Sequence, residues 1–204
     1  MQGICYIVGA GHFSETALEL NENDYIIAAD GGYNFLQKLG MHPDILLGDF
    51  DSIEDIPENI KKITFPSNKD DTDMALAVNL AIEKGYKNIV LMGALGGRTD
   101  HSYGNIALLV HMARLGIENR IVDGRRVITA VTDKAICFDE TYSGYVSVFS
   151  ADTRSYGVSI EGLKYELNNV MLTNDVTLGV SNEFIGKSSR ISVEDGTLII
   201  MYEK

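Results

Sequence analysis

Tryptophan is absent from these 204 residues, and cysteine occurs only at Cys5 and Cys137. The two cysteines sit far apart in apolar stretches, which reads as free buried thiols in a reducing compartment rather than a disulfide or a metal site. Positive charge is scarce too: 17 Lys and Arg against 29 Asp and Glu leave a formal net charge of -12. That balance argues against unassisted binding to nucleic acid or to an anionic membrane, whose phosphates are met by Lys and Arg. A small anionic substrate would need a metal intermediary. No apolar run approaches membrane-spanning length, and Met1 to Val8 has no basic flank and too short an apolar run for a signal peptide. A cytoplasmic protein is therefore expected. Histidine is limited to His12, His42, His101 and His111, and only His101 adjoins an aspartate motif. No Gly-Lys-Ser/Thr appears, so the Walker phosphate loop is excluded.

With 45% hydrophobic and 23% charged residues, the composition is that of a globular protein large enough for one large domain or two small ones. Its first half alternates apolar runs with amphipathic stretches, the pattern of a mostly parallel sheet with crossover helices. Ile4 to Val8, Tyr25 to Ala29, Ile45 to Leu47, Ile63 to Phe65 and Asn88 to Met92 read as strands. Helical spacing runs from Tyr33 to Leu39, again through Met74, Ala77, Val78, Ala81 and Ile82, and from about Ser102 to Leu115. Ile53 to Lys62 reads as a surface loop or short helix. After Asp123-Gly124 the apolar runs become short and β-branched, helical spacing disappears and turn signals recur. The expected division is an α/β domain over 1–125 and an all-β sandwich or small barrel over 126–204. Glu194-Asp195-Gly196 is a hairpin signal between Arg190 to Val193 and Thr197 to Tyr202.

The chemistry concentrates at the carboxyl ends of the predicted strands. Asp49 and Asp51 flank Phe50 just past the Ile45 to Leu47 run, on one face of the chain, and two carboxylates that close call for a hard divalent cation. Asp30 also ends a strand, on the side where open α/β sheets bind ligands. Lys69-Asp70-Asp71-Thr72-Asp73 opens a helix; Asp71 reads as a cap, Asp73 as a further metal ligand and Lys69 as a phosphate contact. Gly93-Ala94-Leu95-Gly96-Gly97-Arg98-Thr99-Asp100-His101 reads as an anion loop. Glycines let backbone N–H groups approach an anion, and Arg98 can grip phosphate oxygens. Asp100 is either a site residue or an ion-pair partner of Arg98, and His101 is a neighbour of the site. Gly9-Ala10-Gly11 alone is weak evidence, since tight strand-to-helix turns use glycine anyway. Carboxylates without Cys or His ligands suit magnesium, and spacing leaves phosphoryl transfer, pyrophosphoryl transfer and phosphoester hydrolysis all open.

Taken together, Ala29-Asp30-Gly31-Gly32, Gly48-Asp49-Phe50-Asp51-Ser52, Asp71-Thr72-Asp73, Gly96-Gly97-Arg98-Thr99-Asp100-His101, Gly162-Leu163-Lys164-Tyr165 and Val180-Ser181-Asn182-Glu183-Phe184 resemble the thiamine pyrophosphokinase family over nearly the whole chain. The resemblance implies magnesium-dependent transfer of the diphosphoryl group of ATP to thiamine, giving thiamine diphosphate and AMP. It implies a Rossmann-like domain joined to a β-sandwich, and a homodimer with its active sites at the subunit interface. Carried over by position, Asp49, Asp51 and Asp73 would hold magnesium. Arg98 and Gly93, Gly96 and Gly97, with Lys69 and His101 beside them, would meet the nucleotide phosphates. Asp100 would lie by the thiamine and reacting phosphates, Asp30 would line the cleft, and Ser181 and Asn182 would bind the aminopyrimidine from the partner subunit. With no tryptophan, Tyr165 or Phe184 would supply the aromatic contact. The alternatives are a metal-dependent phosphoesterase, which would want more histidine, and a non-catalytic nucleotide or thiamine sensor on the same fold.

Overall fold

The computed structural model describes residues 3–13, 20–50, 53, 60–65 and 71–204. The chain forms two compact units, one running to Leu108 and taking in Ile117–Gly124, the other made of Leu109–Gly116 and Arg125–Lys204. In the first unit the elements are β1 (Cys5–Val8), β2 (Tyr25–Ala29), α1 (Gly32–Lys38), β3 (Ile45–Gly48), β4 (Lys62–Thr64), α2 (Asp73–Glu83), β5 (Asn88–Met92) and β6 (Glu118–Asp123). Helix α3 (Thr99–Arg114) begins there as well. Most of the segment Ile53 to Lys62 lies outside the described residues.

Parallel pairing runs in the order β6-β5-β1-β2-β3-β4. The central strands are almost wholly buried, which is why they read as unbroken apolar runs rather than as alternating ones. Val8, Ile26, Ala28, Leu46, Val90 and Met92 pack with Tyr33 and Leu36 of α1. The alternate residues Ile7, Ile27, Ile45, Leu47, Ile89 and Leu91 are equally buried and, by the pleat, face the other side. Helix α2 packs against β1, β2 and β3 through its stripe of Met74, Ala77, Val78 and Ala81. Its N-cap is Thr72, whose Oγ1 accepts from the Ala75 N–H at 3.2 Å, rather than Asp71. A threonine hydroxyl one position closer to the helix does that work. The chain lays down β1 to β4 on one side of β1 and then returns to place β5 on the other. The reversal lies between β1 and β5, and at such a switch point the loops at the carboxyl ends splay apart and leave a crevice.

The second unit contains β7 (Arg126–Thr132), β8 (Ala135–Phe138), β9 (Tyr145–Ser150), β10 (Ser155–Glu161), β11 (Leu167–Leu172), β12 (Gly179–Glu183), β13 (Ser189–Ser192) and β14 (Thr197–Glu203). Antiparallel pairing gives two sets of four, β12-β9-β14-β7 and β11-β10-β13-β8. Val146, Val148, Leu198 and Ile200 from the first set share one core with Phe138, Val158, Ile160 and Ile191 from the second. Arg190 to Val193 and Thr197 to Tyr202 therefore do not form the hairpin expected from Glu194-Asp195-Gly196, because β13 and β14 belong to different sets. The backbone N–H groups of Glu194 and Asp195 donate to the Tyr156 carbonyl at 3.1 and 3.3 Å, and that of Gly196 to Asp133 Oδ1 at 2.8 Å. The turn thus carries the chain across the core, where Ile191 and Leu198 are buried from opposite sets.

The cysteines differ from each other. Cys5 in β1 is buried, and that burial pushes its thiol up to about 12. Cys137 is exposed on β8, contrary to the expectation of two buried thiols: it occupies the outward position next to buried Phe138. An aromatic disulfide reagent at pH 8 is expected to titrate one thiol in the native protein and two after denaturation. Two reactive thiols in the native state would contradict the burial of Cys5.

Candidate active site

The loops that leave β1 and β5 meet at the switch point. Backbone N–H groups of Gly9 and Gly11 donate to the Met92 and Gly93 carbonyls, both at 2.8 Å. Gly93 stands at φ +57°, and a Cβ on it would lie 2.3 Å from the Gly9 carbonyl oxygen, so only glycine allows the two backbones to cross. Gly96 and Gly97 follow at φ +80° and +65°, two consecutive left-handed residues whose N–H groups can turn toward a common anion. The first turn of α3 comes next, with its positive end at the same loop. The helix starts at Thr99 rather than near Ser102, so Asp100 and His101 sit in its first turn and not in the preceding loop.

These elements enclose a cavity of about 410 Å³ lined by Gly9 to Gly11, Asp30, Thr72, Asp73, Gly93, Gly96, Gly97, Arg98, His101 and Asn105. The volume suits a small-molecule ligand. Of the residues singled out in the sequence, Asp30, Asp73, Gly93, Gly96, Gly97, Arg98 and His101 are brought together here. Asp30 reaches the cavity from a left-handed backbone, φ +47°, held by its N–H bond to the Leu47 carbonyl at 2.7 Å. Such backbones are uncommon outside glycine and cluster at functional sites. Gly9 to Gly11, weak evidence in the sequence, form part of the wall. Asn105 was not anticipated: it is buried in α3 and donates through Nδ2 to the Ala94 carbonyl at 2.7 Å, which pins the glycine loop to the helix. A lone polar residue inside a helix carries no sequence signal that separates such a pin from a surface position.

Arg98 and Asp100 are paired. Nη2 and Nε of Arg98 donate to Oδ2 and Oδ1 of Asp100 at 2.6 and 3.2 Å, and the His101 N–H donates to Oδ1 at 3.0 Å. The bond from Arg98 holds the Asp100 carboxyl down at about 2. A carboxylate lowered in the folded chain favours folding above its ordinary range and loses that contribution as pH falls toward about 2. Two of the five guanidinium N–H groups are used here, so three remain for an oxyanion. Carbon-detected titration is expected to show Asp100 losing its charge last among the exposed aspartates on acidification. An ordinary midpoint would contradict the pairing.

Asp49 follows β3 and is half-buried, but it does not line this cavity. Asp51 and Lys69 lie outside the described residues. Among the described residues, no three or more His, Cys, Asp or Glu side chains form a group that could hold a metal ion. In the second unit, Ser181 is exposed at φ +59° and its N–H donates to Ser147 Oγ at 3.1 Å. Asn182 is 3% exposed. Its Oδ1 accepts from the N–H groups of Tyr165 and Glu183, both at 2.9 Å, and its Nδ2 donates to the Tyr165 carbonyl. Tyr165 is 59% exposed, with Lys164 Nζ 5.5 Å from its ring centre, whereas Phe184 is 8% exposed and packs on Phe138. Of the two aromatics, Tyr165 is the accessible one.

The chain is similar to known proteins over most of its length. Residues 16–121 match the model of the thiamin pyrophosphokinase catalytic domain. Residues 133–198 match that of the thiamin pyrophosphokinase vitamin B1 binding domain. The chain is 32% identical over 188 residues to thiamine pyrophosphokinase of Bacillus subtilis, covering 89% of this chain and 88% of the relative. It is 28% identical over 179 residues to thiamin pyrophosphokinase 1 of Caenorhabditis elegans, covering 80% and 72% of the two chains. The crystal structure of the Bacillus subtilis thiamine pyrophosphokinase superposes with a TM-score of 0.90 at 28% identity, over 98% of this chain and 99% of the other. With both family models matched in order and most of the chain covered, this protein belongs to the thiamin pyrophosphokinase family of diphosphotransferase enzymes.

Proposed function

We propose that the cavity of the first unit is where the diphosphoryl group of ATP is transferred to the hydroxyl of thiamine, with AMP as the second product. One observation carries the reading: carboxylates and an anion-binding glycine loop with an arginine share the same crevice at the switch point of a parallel sheet. Backbone N–H groups at Gly93, Gly96 and Gly97 and the guanidinium of Arg98 bind and orient the phosphate chain. His101 is a further phosphate contact, and Lys69, outside the described residues, would be another. Asp30 lines the cleft, and Asp100 fixes the guanidinium and lies beside the acceptor. Such a transfer needs mostly alignment and charge neutralisation.

The donor set is all oxygen, which fits magnesium: that ion keeps several waters and takes one or two carboxylates plus substrate phosphates. Asp49, Asp51 and Asp73 would hold it, and bound there it would neutralise phosphate charge. In this reading the first unit makes up most of the Rossmann-like domain expected over 1–125, and the paired antiparallel sets over 126–204 form a β-sandwich that binds thiamine. Ser181 contacts the aminopyrimidine, Tyr165 faces the rings, and Asn182 acts by fixing the Tyr165 backbone. A homodimer, with its active sites at the subunit interface, would bring these residues to the partner's cleft, and the acidic surface suits a cationic vitamin. A cytoplasmic location is part of the same reading; no helix among the described residues is long and apolar enough to cross a membrane.

The test is incubation with ATP, magnesium and thiamine. AMP and thiamine diphosphate are expected in equal amounts. ADP, or free phosphate that forms without thiamine, would contradict the reading and favour phosphoryl transfer or a phosphoesterase.

A further inference from the structure

His12 and Asp123 form a pair that the transfer as described leaves unused. His12 follows the Gly9-Ala10-Gly11 turn, and its N–H donates to the Leu95 carbonyl at 2.6 Å. Its Cβ rests against the bare face of Gly96: a Cβ on Gly96 would stand 2.7 Å away. Asp123 is the last residue of β6, the strand beside β5, so the pair sits on the same rim as the glycine loops. The Asp123 side chain is 5% exposed and its Oδ1 lies 3.1 Å from Nδ1 of His12, whose side chain is 63% exposed. A carboxylate can only accept, so this contact assigns a proton to Nδ1 and fixes the ring. Nε2, across the ring from that bond, is left for a ligand. The residues His12 touches or follows, Gly11 and Gly96, both line the cavity.

Building on the reading of this cavity as the nucleotide site, we propose that His12, oriented by Asp123, is a further contact to the phosphate chain of the nucleotide. Nε2–H donates to a phosphate oxygen while Nδ1–H stays on Asp123. His12 supplies at one edge of the glycine loop what Arg98 supplies at the other end. Asp123 does not touch the ligand and is a positioning residue.

The experiment is calorimetric titration of the full chain with ATP and magnesium in the absence of thiamine, repeated with inorganic triphosphate and with adenosine. His12→Ala is expected to weaken ATP and inorganic triphosphate about tenfold and to leave adenosine unchanged. Asp123→Asn is expected to weaken ATP about threefold, and the double variant to bind no worse than His12→Ala, because Asp123 acts only through His12. In steady state the loss appears in KM for ATP, with KM for thiamine unchanged. Unchanged ATP affinity in a folded His12→Ala protein overturns the proposal, as does an equal loss for adenosine. The exposed His12 decides the matter even if Asp123→Asn does not fold. Binding without thiamine needs no transfer, so this result is separable from failure of the reaction itself.

Discussion

Asp73→Asn is expected to lower kcat by about two to three orders of magnitude while moving the thermal midpoint by only a few degrees. The asymmetry follows from what Asp73 does and does not do. It is the first residue of α2, but the capping oxygen comes from Thr72. Losing the charge costs the helix dipole about 0.3–1 kcal/mol. In the proposed transfer, by contrast, the carboxylate lines the cavity and would hold the magnesium that neutralises phosphate charge, and an electrostatic contribution of that kind is worth about 10²–10³ in rate. Thr72→Ala is the control: about 1 kcal/mol less stable, with far smaller loss of turnover. Steady-state rates and melting curves for the two variants separate the roles. A fully active Asp73→Asn would remove this residue from the site.

The second large effect is expected at Gly93→Ala. Two penalties coincide there, a left-handed backbone and a Cβ that would press on the Gly9 carbonyl oxygen at 2.3 Å. Backbone strain costs about 1–3 kcal/mol, and forcing an atom into packed surroundings costs about 1–3 kcal/mol more. The variant should lose a large share of the stability of the first unit, and what folds should bind ATP poorly, because the crossing of the two loops shapes the cavity. Gly97→Ala is the matched comparison. It shares the left-handed backbone at φ +65°, but a Cβ there meets nothing within 4 Å, so only the strain of about 1–3 kcal/mol remains. Denaturant unfolding of the pair measures the difference, and equal destabilisation would show that the crossing is not tight.

The positions of Asp30 and of the glycine loop after β5 were legible in the sequence, because each is a short motif at a strand end. Tyr25–Ala29 has the expected bounds, and Asp30 and the Gly93 to Gly97 loop lie where the alternation of strand and helix puts them. The order of strands was not legible: nothing local says that β5 returns to the far side of β1, and that return is what makes the crevice. The start of α3 was misplaced by three residues, since Thr99-Asp100-His101 reads equally as loop end or first turn. Glu194-Asp195-Gly196 has hairpin chemistry, yet its N–H groups are taken by Tyr156 and Asp133, distant residues that no local pattern reveals. Cys137 and Phe138 are neighbours in one apolar run, and only the pleat decides which of them is outside. His12 and Asp123 stand 111 positions apart, too far for spacing to connect them.

In the proposed reaction, carboxylates and glycine-loop donors act on one metal–nucleotide complex in the first unit. The most direct test is an electron paramagnetic resonance titration of manganese, standing in for magnesium, with a non-hydrolysable ATP analogue, on the wild type and on Asp73→Asn. The expected result is a tight manganese–nucleotide complex in the wild type and affinity at least about tenfold weaker in the variant. Equal affinity in the two proteins would contradict the shared site.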